Sequence, residues 1–161
     1  SNPSTAYASE RFGLVWSDEF NSGTKPNSQD WIYELGFIRN QEPQWYQEKN
    51  VAIRDGMLVI TGKPDKVRNP KFQPGSTDWK LNREFAPFSS GSIKTAGKRG
   101  WRYGRFEARC RIKAEDGLWP AFWLVGDEGQ WPYKGEIDVM EYYQQKLHAN
   151  ACWKGSEKGS A

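Results

Sequence analysis

The sequence predicts an all-β fold, an antiparallel sandwich. Three observations carry this expectation. Apolar, β-prone runs recur at roughly ten-residue intervals with turn signals between them. Sixteen Gly and nine Pro in 161 residues supply those turns. No long segment shows the 3.6-residue period of an amphipathic helix. The length is that of one domain. Aromatic residues make up 15% of the chain, with nine Trp, seven Tyr and eight Phe. That is enough flat apolar area for both a sheet core and a binding groove. The net charge is +3 and the basic residues are spread out, which argues against a nucleic-acid-binding stripe. No run of about eighteen apolar residues exists, so no membrane span is expected.

Taken in order, residues 1–11 carry no period and read as an N-terminal tail. Leu14-Val15-Trp16 opens a first strand that ends at Asn21-Ser22-Gly23. Trp31 to Leu35 is short and aromatic. Val51-Ala52-Ile53 and Met57-Leu58-Val59-Ile60 flank Arg54-Asp55-Gly56, a strong hairpin signal. Residues 64–86, with Pro64, Pro70 and Pro74, read as a long polar surface loop. Ser89 to Lys94 reads as a strand. Residues 105–112 alternate, placing Phe106, Ala108, Cys110 and Ile112 on one face and Arg105, Glu107, Arg109 and Arg111 on the other. By that alternation Cys110 is expected as a buried free thiol. Trp119 to Val125 is nearly continuous in apolar residues, as in a strand covered on both sides, with Trp123 expected in the core. Leu147 to Trp153 is the last candidate strand.

The stretch with chemistry in it is Gly135-Glu136-Ile137-Asp138-Val139-Met140-Glu141-Tyr142-Tyr143. In a strand, residues two apart share a face, so Glu136 and Asp138 point one way and Ile137 and Val139 the other, into a core. Strict alternation would bury Glu141 alone among apolar groups, which is costly. A β-bulge at Val139-Met140 restores the phase. Glu136, Asp138, Glu141 and Tyr143 then line one face, with Tyr142 behind. Retaining glycosidases need two carboxyl groups about 5–5.5 Å apart, and neighbouring inward positions of one strand sit near that separation. In this reading Glu136 is the nucleophile, Glu141 the acid/base, and Asp138 the residue that tunes them by like charge and hydrogen bonding. Three alternatives stand beside it: a solvated acidic face, a divalent-metal site, and a helix, which would scatter the acids.

That stretch resembles the active-site strand of glycoside hydrolase family 16, in the bulged E-x-D-x-x-E form found in laminarinases (endo-β-1,3-glucanases), agarases and carrageenases. Trp16-Ser17-Asp18-Glu19-Phe20, Tyr103-Gly104-Arg105-Phe106-Glu107-Ala108-Arg109 and Gly117-Leu118-Trp119-Pro120-Ala121-Phe122-Trp123 agree in order and spacing. Trp131-Pro132 leads into the strand as in the laminarinase-like branch. The resemblance implies a β-jelly roll with a concave carbohydrate-binding cleft. It also implies a retaining endo-β-glucanase acting on β-1,3-glucan or mixed β-1,3-1,4-glucan. The competing readings are a non-catalytic carbohydrate-binding module and the same chemistry on agarose or carrageenan.

Trp119 and Trp131 are the expected platforms for pyranose faces. Asn40-Gln41-Glu42-Pro43-Gln44-Trp45-Tyr46 resembles the N-N-E-x-Q-x-Y stretch of laminarinases, so Asn40 and Glu42 are expected to bind sugar hydroxyls; alternatively it is a plain polar loop. His148, the lone histidine, matches the first position of an H-x-x-x-H pattern and is a further substrate-binding candidate. Cys152 stands at the second position. Ser92 stands where many laminarinases carry the Arg of S-G-R. No organic cofactor is expected and no metal ligands are assigned; a structural calcium ion, as in some relatives, is compatible with the resemblance. Family domains are several tens of residues longer. Residues 12–161 are therefore expected to be the N-terminal portion of a truncated domain, weakly active alone, with open edges inviting a second copy or a complementary chain. The polysaccharide is the expected partner, and a secreted, periplasmic or cell-surface location is expected.

Overall fold

In the computed structural model the described residues are 12–155. The expected tail, residues 1–11, lies outside them. The described residues are almost wholly β, with ten short strands and one 3₁₀ turn, Glu48–Asn50. The chain forms two compact units that meet at the Arg105/Phe106 junction. That junction lies where the expected strand over 105–112 does not form. Alternation supplies a pattern of faces, but a strand also needs a neighbour for its N–H and C=O groups. No strand pairs with this stretch among the described residues, and Cys110 is exposed rather than buried.

The first unit contains β1 (Ile32–Tyr33), β2 (Gln44–Tyr46), β3 (Val51–Arg54), β4 (Met57–Ile60), β5 (Lys63–Arg68), β6 (Phe85–Ser90) and β7 (Ile93–Lys94). The hairpin expected around Arg54-Asp55-Gly56 forms between β3 and β4, with Asp55 and Gly56 at φ 51° and 67°. Two successive positive φ values give the twist that matches paired strands. The expected 64–86 loop is shorter. Its first residues join β5, which pairs with β6, and the remainder is tied by Asn69, whose amide donates to the carbonyls of Lys80 (2.9 Å) and Arg83 (3.0 Å). The expected strand from Ser89 to Lys94 is split between the end of β6 and β7. The ladders are antiparallel except that β2 runs parallel to β6. Leu14 and Val15 do not form a strand and stay exposed. Instead, Trp16 packs on Trp31 and Trp101, and Asp18 accepts a hydrogen bond from the Trp31 indole at 2.8 Å. The apolar core of this unit is small: Phe37, Val51, Ile53 and Ala86.

The second unit is one open sheet in the order β10-β9-β8, with β8 at Ala121–Val125, β9 at Glu136–Tyr143 and β10 at Lys146–Cys152. β9 and β10 join through Gln144 and Gln145, both at positive φ, and the Gln145 amide anchors to Asp116 at 3.0 Å. β9 is the central strand, so both its edges are hydrogen-bonded and its side chains are held in fixed register. Ile137 and Val139 were expected in a core, but Ile137 is 53% exposed and Leu147, on the same face, is 68% exposed. Likewise Trp119 to Val125 is not covered on both sides, for Trp123 and Val125, on the face opposite Ile137, are partly exposed. A single layer has two faces, and within this unit no second layer covers either of them.

Candidate active site

β9 carries the bulge that the acidic stretch predicts. Against β8 the pairing runs Ala121 opposite Glu141 and Phe122 opposite Met140, then jumps to Trp123 opposite Asp138, so Val139 is the extra residue. Against β10 the register shifts in the same place, between His148 and Asn150. One inserted residue changes the phase of alternation. Directly opposed residues share a face. The acidic face therefore holds Glu136, Asp138 and Glu141 from β9, Trp123 and Val125 from β8, and His148, Asn150 and Cys152 from β10. The other face is apolar throughout, with Phe122, Leu124, Ile137, Tyr142, Leu147 and Ala151. This segregation removes the solvated-face and helix readings.

Each glutamate accepts an indole N–H. Trp131 Nε1 donates to Glu136 Oε2 at 2.7 Å, and Trp119 Nε1 donates to Glu141 Oε1 at 3.1 Å. Trp131 sits in the loop between β8 and β9. That loop is pinched shut by Gly126, whose N–H donates to the Gly135 carbonyl at 3.1 Å. A Cβ at Gly126 would lie 2.0 Å from the Lys134 carbonyl oxygen, so no other residue fits without moving the loop. On the Glu141 side, Trp119 packs on Tyr143 with ring centres 5.0 Å apart, and Tyr143 stacks on His148 at 4.1 Å. His148 Nε2 lies 3.3 Å from the Tyr143 carbonyl oxygen.

The electrostatics follow from this crowding. Asp138 is 7% exposed, and its Oδ1 has no hydrogen-bond partner. Burial pushes the Glu136 carboxyl above its ordinary range. The negative charge of Asp138, a carboxyl–carboxyl hydrogen bond with it, and the charge of Glu141 add to the rise, while the Trp131 N–H opposes it. Burial, then the Asp138 charge, likewise raise Glu141. The Trp119 indole, the His148 ring and the Asn150 amide, hydrogen-bonded to Glu141, pull the other way.

Of the expected site residues, Glu136, Asp138, Glu141, Trp119, Trp131 and His148 lie together on this sheet. Asn40 and Glu42 belong to the first unit. There Glu42 takes a hydrogen bond from Gln44 (2.7 Å), and the Arg83 guanidinium holds the carbonyls of Gln41 (2.8 Å) and Glu42 (3.0 Å). The polar-loop alternative accounts for those contacts. Sequence reasoning missed Asn150 altogether and put Trp123 in the core. The signal was available for both: once the bulge is accepted, counting outward from Asp138 through the two neighbouring strands puts these residues beside it. Calcium takes six to eight oxygen ligands. Among the described residues no group of three or more His, Cys, Asp or Glu side chains is arranged to hold a metal, so none can be named for it.

One β-sheet face thus brings together two glutamates, a buried aspartate between them and two partly exposed indole rings, the arrangement that the retaining-glycosidase reading requires. Residues 110–158 match the family profile described as the XgeA-like catalytic domain of glycoside hydrolase family 16. The chain is 34% identical over 139 residues to a beta-glucanase of Rhodothermus marinus, covering 80% of this chain and 43% of the relative. It is 37% identical over 143 residues to glucan endo-1,3-beta-glucosidase A1 of Niallia circulans, covering 80% and 20%. The solved catalytic domain of an endo-1,3-beta-glucanase (laminarinase) from Thermotoga petrophila superposes with a TM-score of 0.73 at 28% identity, covering 88% of this chain and 56% of that one. The chain thus spans less than half the length of either curated relative. Residues 110–158 thus carry the catalytic-domain profile of glycoside hydrolase family 16, and the fold class is the β-jelly roll of that family's laminarinases, with its sheets open.

Proposed function

We propose that this chain carries the catalytic machinery of a retaining endo-β-glucanase that hydrolyses β-1,3-glucan or mixed β-1,3-1,4-glucan. The observation that carries the reading is the bulged β9, which sets Glu136, Asp138 and Glu141 on one face between bare aromatic rings. Glu136, as carboxylate, attacks the anomeric carbon, with the buried Asp138 beside it on the same face. Glu141 enters the reaction protonated and delivers its proton to the leaving glycosidic oxygen. Its raised proton affinity suits that task at mildly acidic to neutral pH. In the second half, Glu141 takes a proton from water, which attacks the glycosyl-enzyme ester and frees Glu136. The indole faces of Trp119 and Trp131 offer apolar surfaces for pyranose rings, and Trp123 adds a third. Asn40 and Glu42 are proposed to bind sugar hydroxyls and His148 to border the leaving-group oxygen. The chemistry uses no organic cofactor. A polymer substrate also agrees with a location outside the cytoplasm, which we include in the proposal.

The test is a panel of laminarin, lichenan, agarose and carrageenan assayed for reducing ends with the wild-type chain, Glu136→Gln and Glu141→Gln. Hydrolysis of laminarin or lichenan that both substitutions abolish, with glucan binding retained, supports the reading. Glucan binding without any reducing ends in the wild type points to a carbohydrate-binding module, and turnover confined to agarose or carrageenan moves the chemistry to galactans.

A further inference from the structure

Both rings expected as sugar platforms also turn their nitrogen atoms to the acids. Trp131 and Trp119 reach Glu136 and Glu141 respectively, at 2.7 and 3.1 Å, from the segments at the two ends of β8, and so meet opposite ends of the acidic row on β9. An indole nitrogen has one hydrogen and can only donate. It therefore favours a carboxylate over a carboxylic acid and fixes one oxygen of it. A platform role asks only for a flat ring face, and nothing in sugar stacking requires the ring edge to meet a glutamate.

We propose that Trp131 and Trp119 are positioning residues, an indole pair that holds the two glutamates in place through their N–H groups and sets when each exchanges its proton. The proposal rests on the hydrolase reading above. The two halves act on opposite steps. Trp131 keeps Glu136 ionised and aimed, as a nucleophile requires. Trp119 restrains the tendency of Glu141 to hold its proton, which helps it act as base in the second step. The effects are unequal because Glu141 also has the Asn150 amide, whereas Trp131 is the N–H donor found on Glu136. The charged and titratable groups facing Glu136 are Asp138 and Glu141 on its own strand and Cys152 opposite on β10; those facing Glu141 are Asp138 and, from β10, His148.

Trp131→Phe and Trp119→Phe keep an aromatic face and delete the donor. Both rings are largely exposed, so the fold tolerates the change; circular dichroism checks it. With carbon-labelled glutamate, NMR titration reads each carboxyl directly. Trp131→Phe is expected to move the Glu136 titration, and the acidic limb of the pH–rate profile, up by about one pH unit, an approximately tenfold loss of kcat on that limb with KM little changed. Trp119→Phe is expected to move the Glu141 titration and the alkaline limb up by less, because Asn150 remains. Titrations and limbs left at their wild-type positions, with any loss confined to KM, would overturn the proposal and leave the rings as platforms alone. If the wild-type chain hydrolyses no glucan, the hydrolase reading falls; the carboxyl titrations need no turnover and still decide whether the indole pair acts.

Discussion

The two units of this chain solve the problem of a buried carboxylate in opposite ways. In the first, Glu34 is 8% exposed and receives the Arg39 guanidinium, the Ser92 hydroxyl at 2.7 Å and the Lys94 ammonium at 3.3 Å. Burial alone would raise its proton affinity, but these donors outweigh burial and hold it below the ordinary carboxylate range. In the second, Glu136 and Glu141 have another carboxylate beside them in place of cations, and both are raised. Burial supplies an upward push in each case; the neighbours decide the sign. A carboxylate surrounded by cations is a structural anchor that does not exchange protons near neutrality. A carboxylate crowded by other acids is poised to do so, as a general acid must.

That contrast can be broken at several points. The largest effect is expected from Glu136→Gln, which removes the proposed nucleophile: turnover should fall on the order of 10⁴-fold or more, with glucan affinity retained. Glu141→Gln should cost about 10²–10⁴-fold on polysaccharide and much less on an aryl glycoside whose leaving group needs no proton. In the first unit, Glu34→Ala leaves Arg39 and Lys94 facing each other and should destabilise by about 3 kcal/mol in chemical unfolding, without a specific effect on proton transfer. The pH dependence of stability should differ in sign between the units. Glu34, lowered on folding, contributes stability above its unfolded proton affinity and loses it as pH falls through the folded value. Glu136 and Glu141, raised on folding, penalise the folded state above their folded values and relieve that penalty as pH falls through them. Hydrogen exchange measured unit by unit would separate the two slopes. The smallest effect is expected at the exposed apolar face, where Ile137→Lys should change stability by no more than about 0.5 kcal/mol and reduce self-association seen by light scattering.

Much of the second unit was legible in the sequence because one conflict had one inexpensive resolution. Three acids at 136, 138 and 141 cannot share a strand face without an extra residue, and the bulge sits at Val139-Met140 as that argument requires. The Asp55-Gly56 turn was legible for a similar reason, since few residue pairs accept two positive φ values. What could not be read was partnership. Residues 105–112 alternate as well as any strand in the chain, yet pairing, not pattern, makes a strand. Ile137 and Leu147 read as core because they are apolar, whereas burial needs a second layer. The hydrogen bonds from Trp131 and Trp119 were hidden too, because a tryptophan in sequence announces a ring face and says nothing of where its nitrogen points. Ser92 shows a further limit. It donates its hydroxyl to the Glu34 carboxylate, which the Arg39 guanidinium also reaches, a contact that the residue type alone did not announce.

The claim underlying all of this is that Glu136 forms a covalent bond to sugar. The direct measurement is to incubate the chain with a 2-deoxy-2-fluoro glucan oligosaccharide carrying a dinitrophenyl leaving group, then map the adduct by peptide mass spectrometry. The account predicts one added glycosyl unit, attached to the peptide containing Glu136 and absent in Glu136→Gln. An adduct on Glu141, or glucan hydrolysis by the wild type with inversion at the anomeric carbon and no adduct, would contradict it.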